Sequence, residues 1–308
     1  MTEGFLSALV QDRFDVLFKD VTEVIFTDFP DYANVGDSAI ALGVLAYLKQ
    51  RRIVVSSVYS IDSLDRGSVG AARALVINGG GSFGGLYPIA DRNRVAIAQA
   101  KRSDAILIQA PQSVHFSTDQ AEIDLMTVLA ATTNFRLAVR DAVSGQRVDR
   151  WGIPAVLSPD SAHLLRLPPR PPTRALSILQ RSDFESRDRA VVPEGADWLR
   201  DTPSTAMATK ARKITRFTRR PPKFMRSEAY WTRVAEGRLQ RGLRMLDAEV
   251  VITDRLHAMI LALKLGRRVI AVDNSNGKLS EYAATWLSTE PSLEFAESFT
   301  DARARVHS

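Results

Sequence analysis

Short apolar runs alternate with longer amphipathic ones along most of the chain, and that pattern is met by strands buried in a parallel sheet under helices. In the first half, strands are expected at Val24–Phe29, Ile53–Val58, Ala74–Ile77, Ala105–Ile108 and Phe135–Val139. Helices are expected at Ser38–Gln50, Ile89–Arg102 and Asp119–Thr133, the last with Ile123, Met126, Leu129 and Ala130 as its apolar stripe. A short helix from Asp141 to Trp151 stops at Gly152-Ile153-Pro154, and Ala155–Leu157 is a further apolar run. Leu167–Pro172 reads LPPRPP, and four prolines in six residues can continue neither a helix nor a central strand. Beyond this linker the alternation resumes, with strands at Ala175–Leu179, Glu249–Thr253 and Val269–Val272. The helices there are Glu228–Leu246, Arg255–Lys264 and Lys278–Trp286. The expected architecture is α/β, with two doubly wound, Rossmann-like domains (1–166 and 173–308) facing across a cleft.

Composition narrows the function. No apolar run reaches the roughly 18 residues of a membrane span, and the N-terminus has acids but no basic leader, so a cytoplasmic protein is expected. With no cysteine in 308 residues, disulfides, thiolate metal sites and a cysteine nucleophile are excluded. The formal charge of +6 is too small to imply nucleic acid and suits anionic substrates. Its distribution says more: Lys210–Arg226 holds eight basic residues and no acid.

Ligands of open parallel sheets bind where strands end, which singles out four places. After the first strand comes Asn34-Val35-Gly36-Asp37-Ser38, where Gly36 can make a tight turn and Asp37 or Ser38 can cap a helix aimed at the cleft. After the third lies Asn78–Gly85, five glycines in seven residues from Gly79; Gly80, Gly81 and Ser82 let backbone amides approach a ligand, without P-loop spacing. After the fourth, Gln109-Ala110-Pro111-Gln112-Ser113 can line a sugar site, and Arg140, after the fifth, can hold a carboxylate or phosphate. The fourth place is Thr253-Asp254-Arg255-Leu256-His257. There a buried-type strand runs into an arginine fork for an anion and a histidine able to shuttle a proton. Plain helix capping, a flexible glycine linker, an Arg140–Asp141 charge pair and a core histidine are the bland counterparts of these readings.

Taken in order, these blocks resemble the polysaccharide pyruvyl transferase family: N-V-G-D-S-A-I (Asn34–Ile40), N-G-G-G-S (Asn78–Ser82), Q-A-P-Q-S (Gln109–Ser113), V-R-D-A-V-S (Val139–Ser144), Pro159-Asp160 and T-D-R-L-H-A (Thr253–Ala258). The resemblance implies a fold like the two-Rossmann-domain (GT-B-like) glycosyltransferases. It also implies transfer of the pyruvyl group of phosphoenolpyruvate to a hexose of a surface polysaccharide, or of its lipid-linked precursor, as a pyruvate ketal. By the same resemblance Arg140, Arg255, Leu256 and His257 bind the donor, and no metal or cofactor is required. The N-terminal half then takes the acceptor and the C-terminal half the donor. His257 is assigned as general acid, and Asp37 as the group that orients the acceptor or takes its proton. Asn34, Gly36, Asp37, Gly80, Gly81, Ser82, Gln109 and Gln112 form the acceptor loops. The basic stretch Lys210–Arg226 matches no family motif and is expected to meet an anionic membrane peripherally at its inner face. The competing readings are a GT-B-type glycosyltransferase with a nucleotide-sugar donor and a non-catalytic glycan- or polyanion-binding protein.

Overall fold

The computed structural model describes residues 2–187, 192, 194–203, 205–207, 210 and 222–307. Seven strands form the first sheet: β1 (Glu23–Thr27), β2 (Val54–Val58), β3 (Ala74–Ile77), β4 (Gly80–Phe83), β5 (Ile106–Val114), β6 (Phe135–Val139) and β7 (Ala155–Leu157). Their order is β2-β1-β3-β5-β6-β7, with β4 paired to the far end of β5, and every pairing is parallel. β8 (Arg174–Leu179), β9 (Ala248–Thr253), β10 (Arg268–Val272) and β11 (Leu293–Ala296) form the second parallel sheet, in the order β11-β10-β9-β8. Central strands such as Ala74–Ile77 are apolar at every position because helices cover both faces. From β1 the chain moves one way to β2 and then returns to β3 on the other side. This reversal opens a crevice at the C-terminal ends of β1 and β3.

The helix Val35–Gln50 is apolar almost all round, as a helix buried on every side must be. Its Val44 and Leu48 belong to one apolar cluster that reaches Phe14 near the N-terminus and Leu239, Leu243 and Met259 in the second half. Elements from both sides of the proline-rich segment therefore share a core. That segment itself carries no helix or strand and separates the last strand of the first sheet from the first strand of the second.

Several expectations are corrected. The Val35–Gln50 helix is capped by Asn34, whose side chain accepts from the Gly36 amide, not by Asp37 or Ser38. Gln109–Ser113 lies within β5 rather than on a loop after it, since β5 runs six residues past the apolar stretch to pair with both β4 and β6. Ile123 is 49% exposed, and Leu125 takes its place in the core beside Met126 and Leu129. The helix Thr2–Leu17, the strand β11 and the helix Phe299–Ala304 were not anticipated; the first buries Leu6, Val10, Phe14 and Leu17. Most of the basic stretch, residues 211–221, lies outside the described residues. Its end, Lys223–Arg226, forms a short 3-10 turn that buries Met225, whose carbonyl accepts from the Trp231 indole. Among the described residues no helix is long and apolar enough to cross a membrane.

Candidate functional site

A pocket of about 430 Å³ opens where the C-terminal edges of the two sheets come together. Strand ends build it: Asp28 follows β1, Asn78 and Gly79 follow β3, Arg140 follows β6, and Arg255 is the second residue after β9. Asn34, Asp37, Gly81, Ser82, Leu256 and His257 also line it. The structure thus brings most of the residues singled out in the sequence into one place, although some lie more than two hundred residues apart.

At the centre are Arg140, Asp160 and His257. The buried Arg140 donates from Nη1 to Asp160 Oδ2 at 3.0 Å and from Nε to Ser113 Oγ at 2.8 Å, and Ser113 in turn donates to Asp141. His257 Nε2 lies 3.1 Å from the same Asp160 oxygen, so an Nε2 proton points at the carboxylate. Burial alone would raise the Asp160 carboxyl; His257 and Arg140 outweigh it and hold the group well below the usual carboxylate range. Gly36 explains how the ring gets there: a Cβ at that position would sit 2.5 Å from His257 Nδ1. The Asn34–Ile40 block therefore serves the site through the side chain it lacks at Gly36.

The second sheet supplies the other cations. Arg255 donates to both oxygens of Asp197, at 2.6 and 2.7 Å, and reaches Asp183 at 3.3 Å. An arginine here was expected to await its counter-charge; instead Asp197, beyond β8, clamps it, and the pairing holds the Asp197 carboxyl below its ordinary range despite burial. Arg181 pairs with Asp183 and Glu185, and Lys278 with Glu185 at 3.0 Å. Burial pulls the Lys278 ammonium down, against the pull of Glu185. Lys278 Nζ also donates to the Gly81 carbonyl. A Cβ on Gly81 would meet this nitrogen at 2.9 Å and Arg140 Nη2 at 3.1 Å, so the glycine-rich segment lets two cations from different sheets converge.

Each clamped guanidinium keeps one end open. Among the described residues, Arg140 Nη2 and Arg255 Nη1 make no hydrogen bond, and both residues line the pocket. Asp28, Asp31, Tyr32 and Asp37 form an acidic wall of the pocket. Asp37 Oδ2 accepts from Tyr32 at 2.7 Å and from Asn34 at 2.8 Å. Gln109 and Gln112 do not reach the pocket. They are fully buried in β5 and donate to the Asn78 carbonyl, while Gln112 accepts from the Ser82 amide. With their amide groups spent on backbone and, for the Gln109 oxygen, on the Arg94 guanidinium, the two hold the glycine-rich segment from below; they are supports rather than acceptor contacts. Gly80 sits under the Asp37 carboxylate, outside the lining.

Asp160 was marked only as part of the Pro159-Asp160 block, with no role, and Asp28, Lys278 and the acids Asp183, Glu185 and Asp197 were not among the expected site residues. Asp28 directly follows β1 and Lys278 opens the helix after β10, so the strand-end rule applied at every strand would have found both. The three acids lie between β8 and the next long helix, where no periodicity marks them.

The polysaccharide pyruvyl transferase family model matches residues 34–214 and 244–276. Pyruvyl transferase 1 of Schizosaccharomyces pombe is 32% identical over 290 residues, covering 88% of this chain and 71% of that one. EpsO of Bacillus subtilis, whose name makes it a candidate pyruvyl transferase, is 27% identical over 299 residues, covering 92% and 91%. A solved structure of a functionally uncharacterised Klebsiella pneumoniae protein superposes with a TM-score of 0.66 over 94% of this chain and 99% of that one; at 17% identity it speaks for the fold alone. With a model match across more than half its residues, and with the matched blocks converging on one pocket, this chain belongs to the polysaccharide pyruvyl transferase family.

Proposed function

We propose that this protein moves the pyruvyl group of phosphoenolpyruvate onto two hydroxyls of a hexose, in a surface polysaccharide or its lipid-linked precursor, as a cyclic ketal. The observation that carries the reading is the pair of clamped guanidiniums, Arg140 and Arg255, each with one open terminal nitrogen in the pocket that holds His257 and Lys278. Phosphoenolpyruvate has a carboxylate and a phosphate on a three-carbon frame, and two preset N–H forks beside an ammonium suit it. Leu256, between Arg255 and His257 in sequence, also lines the pocket and offers the frame an apolar contact.

Chemistry starts with a proton delivered to C3. His257, held by Asp160 and backed by Gly36, is the group placed to give it. Positive character develops at C2, a hydroxyl adds there, and a second hydroxyl displaces phosphate. Asp37, with Tyr32, orients the acceptor. The basic stretch Lys210–Arg226 would attract a lipid-linked acceptor presented on an anionic bilayer, by about 1 kcal/mol per residue close to the surface.

The test is incubation with phosphoenolpyruvate and a panel of pyranosides, following released phosphate and the ketal by mass. Acceptor-dependent phosphate release is expected, with thermal stabilisation by phosphoenolpyruvate but not by nucleotide sugars. Stabilisation by nucleotide sugars alone, with phosphoenolpyruvate untouched, would overturn the reading in favour of glycosyl transfer.

A further inference from the structure

The acidic wall contains one carboxyl that is set on a left-handed backbone. Asp28 is the first residue after β1, beside the point where the strand order reverses, and its backbone is left-handed at φ 56°. Non-glycine residues are uncommon there, Asp and Asn being the readiest to adopt it, and such residues gather where a side chain must be aimed. The Asn93 amide, from the helix Pro88–Ala100, donates to Asp28 Oδ1. Oδ2 makes no hydrogen bond among the described residues, and the residue lines the pocket. Asp37 also leaves one oxygen, Oδ1, without a hydrogen bond among the described residues, but its other oxygen already carries two, from Tyr32 and Asn34, and its backbone is not left-handed.

We propose that Asp28 is the general base that accepts the proton of the attacking acceptor hydroxyl, with Asn93 as its positioning residue. The assignment rests on the pyruvyl-transfer reading above and adds a catalytic residue to it. In the first half-reaction the hydroxyl oxygen bonds to C2 and its proton passes to Asp28. That addition follows protonation of C3: the C2–C3 π electrons have already taken a proton from His257, turning the methylene into a methyl and leaving positive character at C2. Exchange with water returns Asp28 to carboxylate and His257 to imidazolium. In the second half-reaction the neighbouring hydroxyl closes on C2 and again gives its proton to Asp28. The bond from C2 to the phosphate oxygen breaks with its electron pair on that oxygen, and His257 protonates the departing phosphate.

The environment of Asp28 suits a base. Burial pushes its carboxyl up to about 6, opposed by Arg94 and the Asn93 hydrogen bond and reinforced by Asp31 and Asp91. Those are the charged groups that face it: Asp31 from its own loop, and Arg94 and Asp91 from the Pro88–Ala100 helix. A carboxylate titrating near 6 is ionised at pH 7.5 yet takes up a proton more readily than an ordinary aspartate.

The experiment compares wild type, Asp28→Asn and Asn93→Ala in acceptor-dependent phosphate release between pH 5 and 9, with phosphoenolpyruvate binding followed by calorimetry. Asparagine tolerates the left-handed backbone, so Asp28→Asn keeps the fold. Its kcat should fall by about 10²–10⁴-fold with donor affinity unchanged, and the acid limb near pH 6 should disappear. In Asn93→Ala the limb should persist and move to higher pH, because a hydrogen bond to the ionised form is lost. An active wild type whose Asp28→Asn variant keeps its kcat, or keeps the limb, overturns the assignment to Asp28 alone. A wild type that binds phosphoenolpyruvate but releases phosphate with no acceptor overturns the pyruvyl-transfer reading, and this assignment with it.

Discussion

Replacing Asp28 with asparagine should make the protein more stable at neutral pH, by an amount that follows from its surroundings. In the folded chain burial raises this carboxyl from 3.8 to about 6. The unfolded chain therefore ionises first as pH rises. Between those two values the folded state binds more protons, and stability attributable to the group falls with increasing pH until both states are ionised. A difference of roughly two pKa units is worth ~3 kcal/mol above pH 7. At pH 4.5 the same pair of pKa values leaves a gap of only ~1 kcal/mol. Asparagine cannot ionise, keeps one carbonyl oxygen for Asn93 and accepts the left-handed backbone, so the substitution removes the charge with little else. Urea unfolding of wild type and variant at pH 4.5 and 7.5 reads the prediction directly. The variant should gain about 1 kcal/mol at the lower pH and up to about 3 at the higher. A variant no more stable than wild type at pH 7.5, or a gain that shrinks as pH rises, would refute the claim that this carboxyl is held against its own ionisation. The gain also carries a meaning for function, because a residue kept in place at the expense of stability is one that activity retains.

Three further outcomes follow from the same geometry. Gly36→Ala places a methyl 2.5 Å from His257 Nδ1. Because the ring can swing aside, unfolding midpoints should hardly move, whereas turnover should drop at least about 10²-fold as the proton donor leaves Asp160. Asp160→Asn leaves Arg140 and His257 without their shared counter-charge and should cost about 3–5 kcal/mol at pH 7. Since the Asp160 carboxyl is depressed in the folded state, its contribution is complete above 3.8 and is lost only as pH falls through the much lower folded value, so the gap in urea unfolding should be undiminished at pH 5 and only begin to narrow toward pH 3. Arg255→Ala should lower both stability and phosphoenolpyruvate affinity, because it leaves the half-buried Asp197 unpaired. Adding Asp197→Ala should restore stability but not donor affinity, and a double variant that regains the donor would remove Arg255 from its site.

How much of this was legible in the sequence depends on whether a periodicity or a strand end marked the residue. The parallel sheets were, because runs such as Ala74–Ile77 and Val250–Thr253 are apolar on both faces and stop at polar residues. Arg140, Arg255 and His257 were also found, since each follows a strand. Gln109 and Gln112 misled because a glutamine is usually exposed. Nothing local told that β5 would extend through them, which needs the neighbouring edges of β4 and β6 to satisfy the backbone. Asn34 was missed as the cap because Asp37 and Ser38 are equally good capping types, and register within a turn is decided by what packs behind it. Here His257 packs against Gly36, a contact more than two hundred residues distant in sequence.

Charge balance connects these parts. Arg140, Arg181, Arg255 and Lys278 line one pocket of about 430 Å³, and without compensation they would repel one another. Asp160 neutralises the first, while Asp183, Glu185 and Asp197, all between β8 and the next long helix, neutralise the other three. That pairing changes what an anion must do to bind. It has no bare cation to neutralise, and it gains from open ends such as Arg140 Nη2 and Arg255 Nη1. A ligand with a single anionic group can use one of them. A small molecule carrying two anionic groups on a short frame can use both, while its reacting carbon lies within the same pocket as His257 and Asp28. Selectivity for such a donor then comes from the acids as much as from the arginines. They set which nitrogens remain available, and they prevent the pocket from holding any passing anion by charge alone.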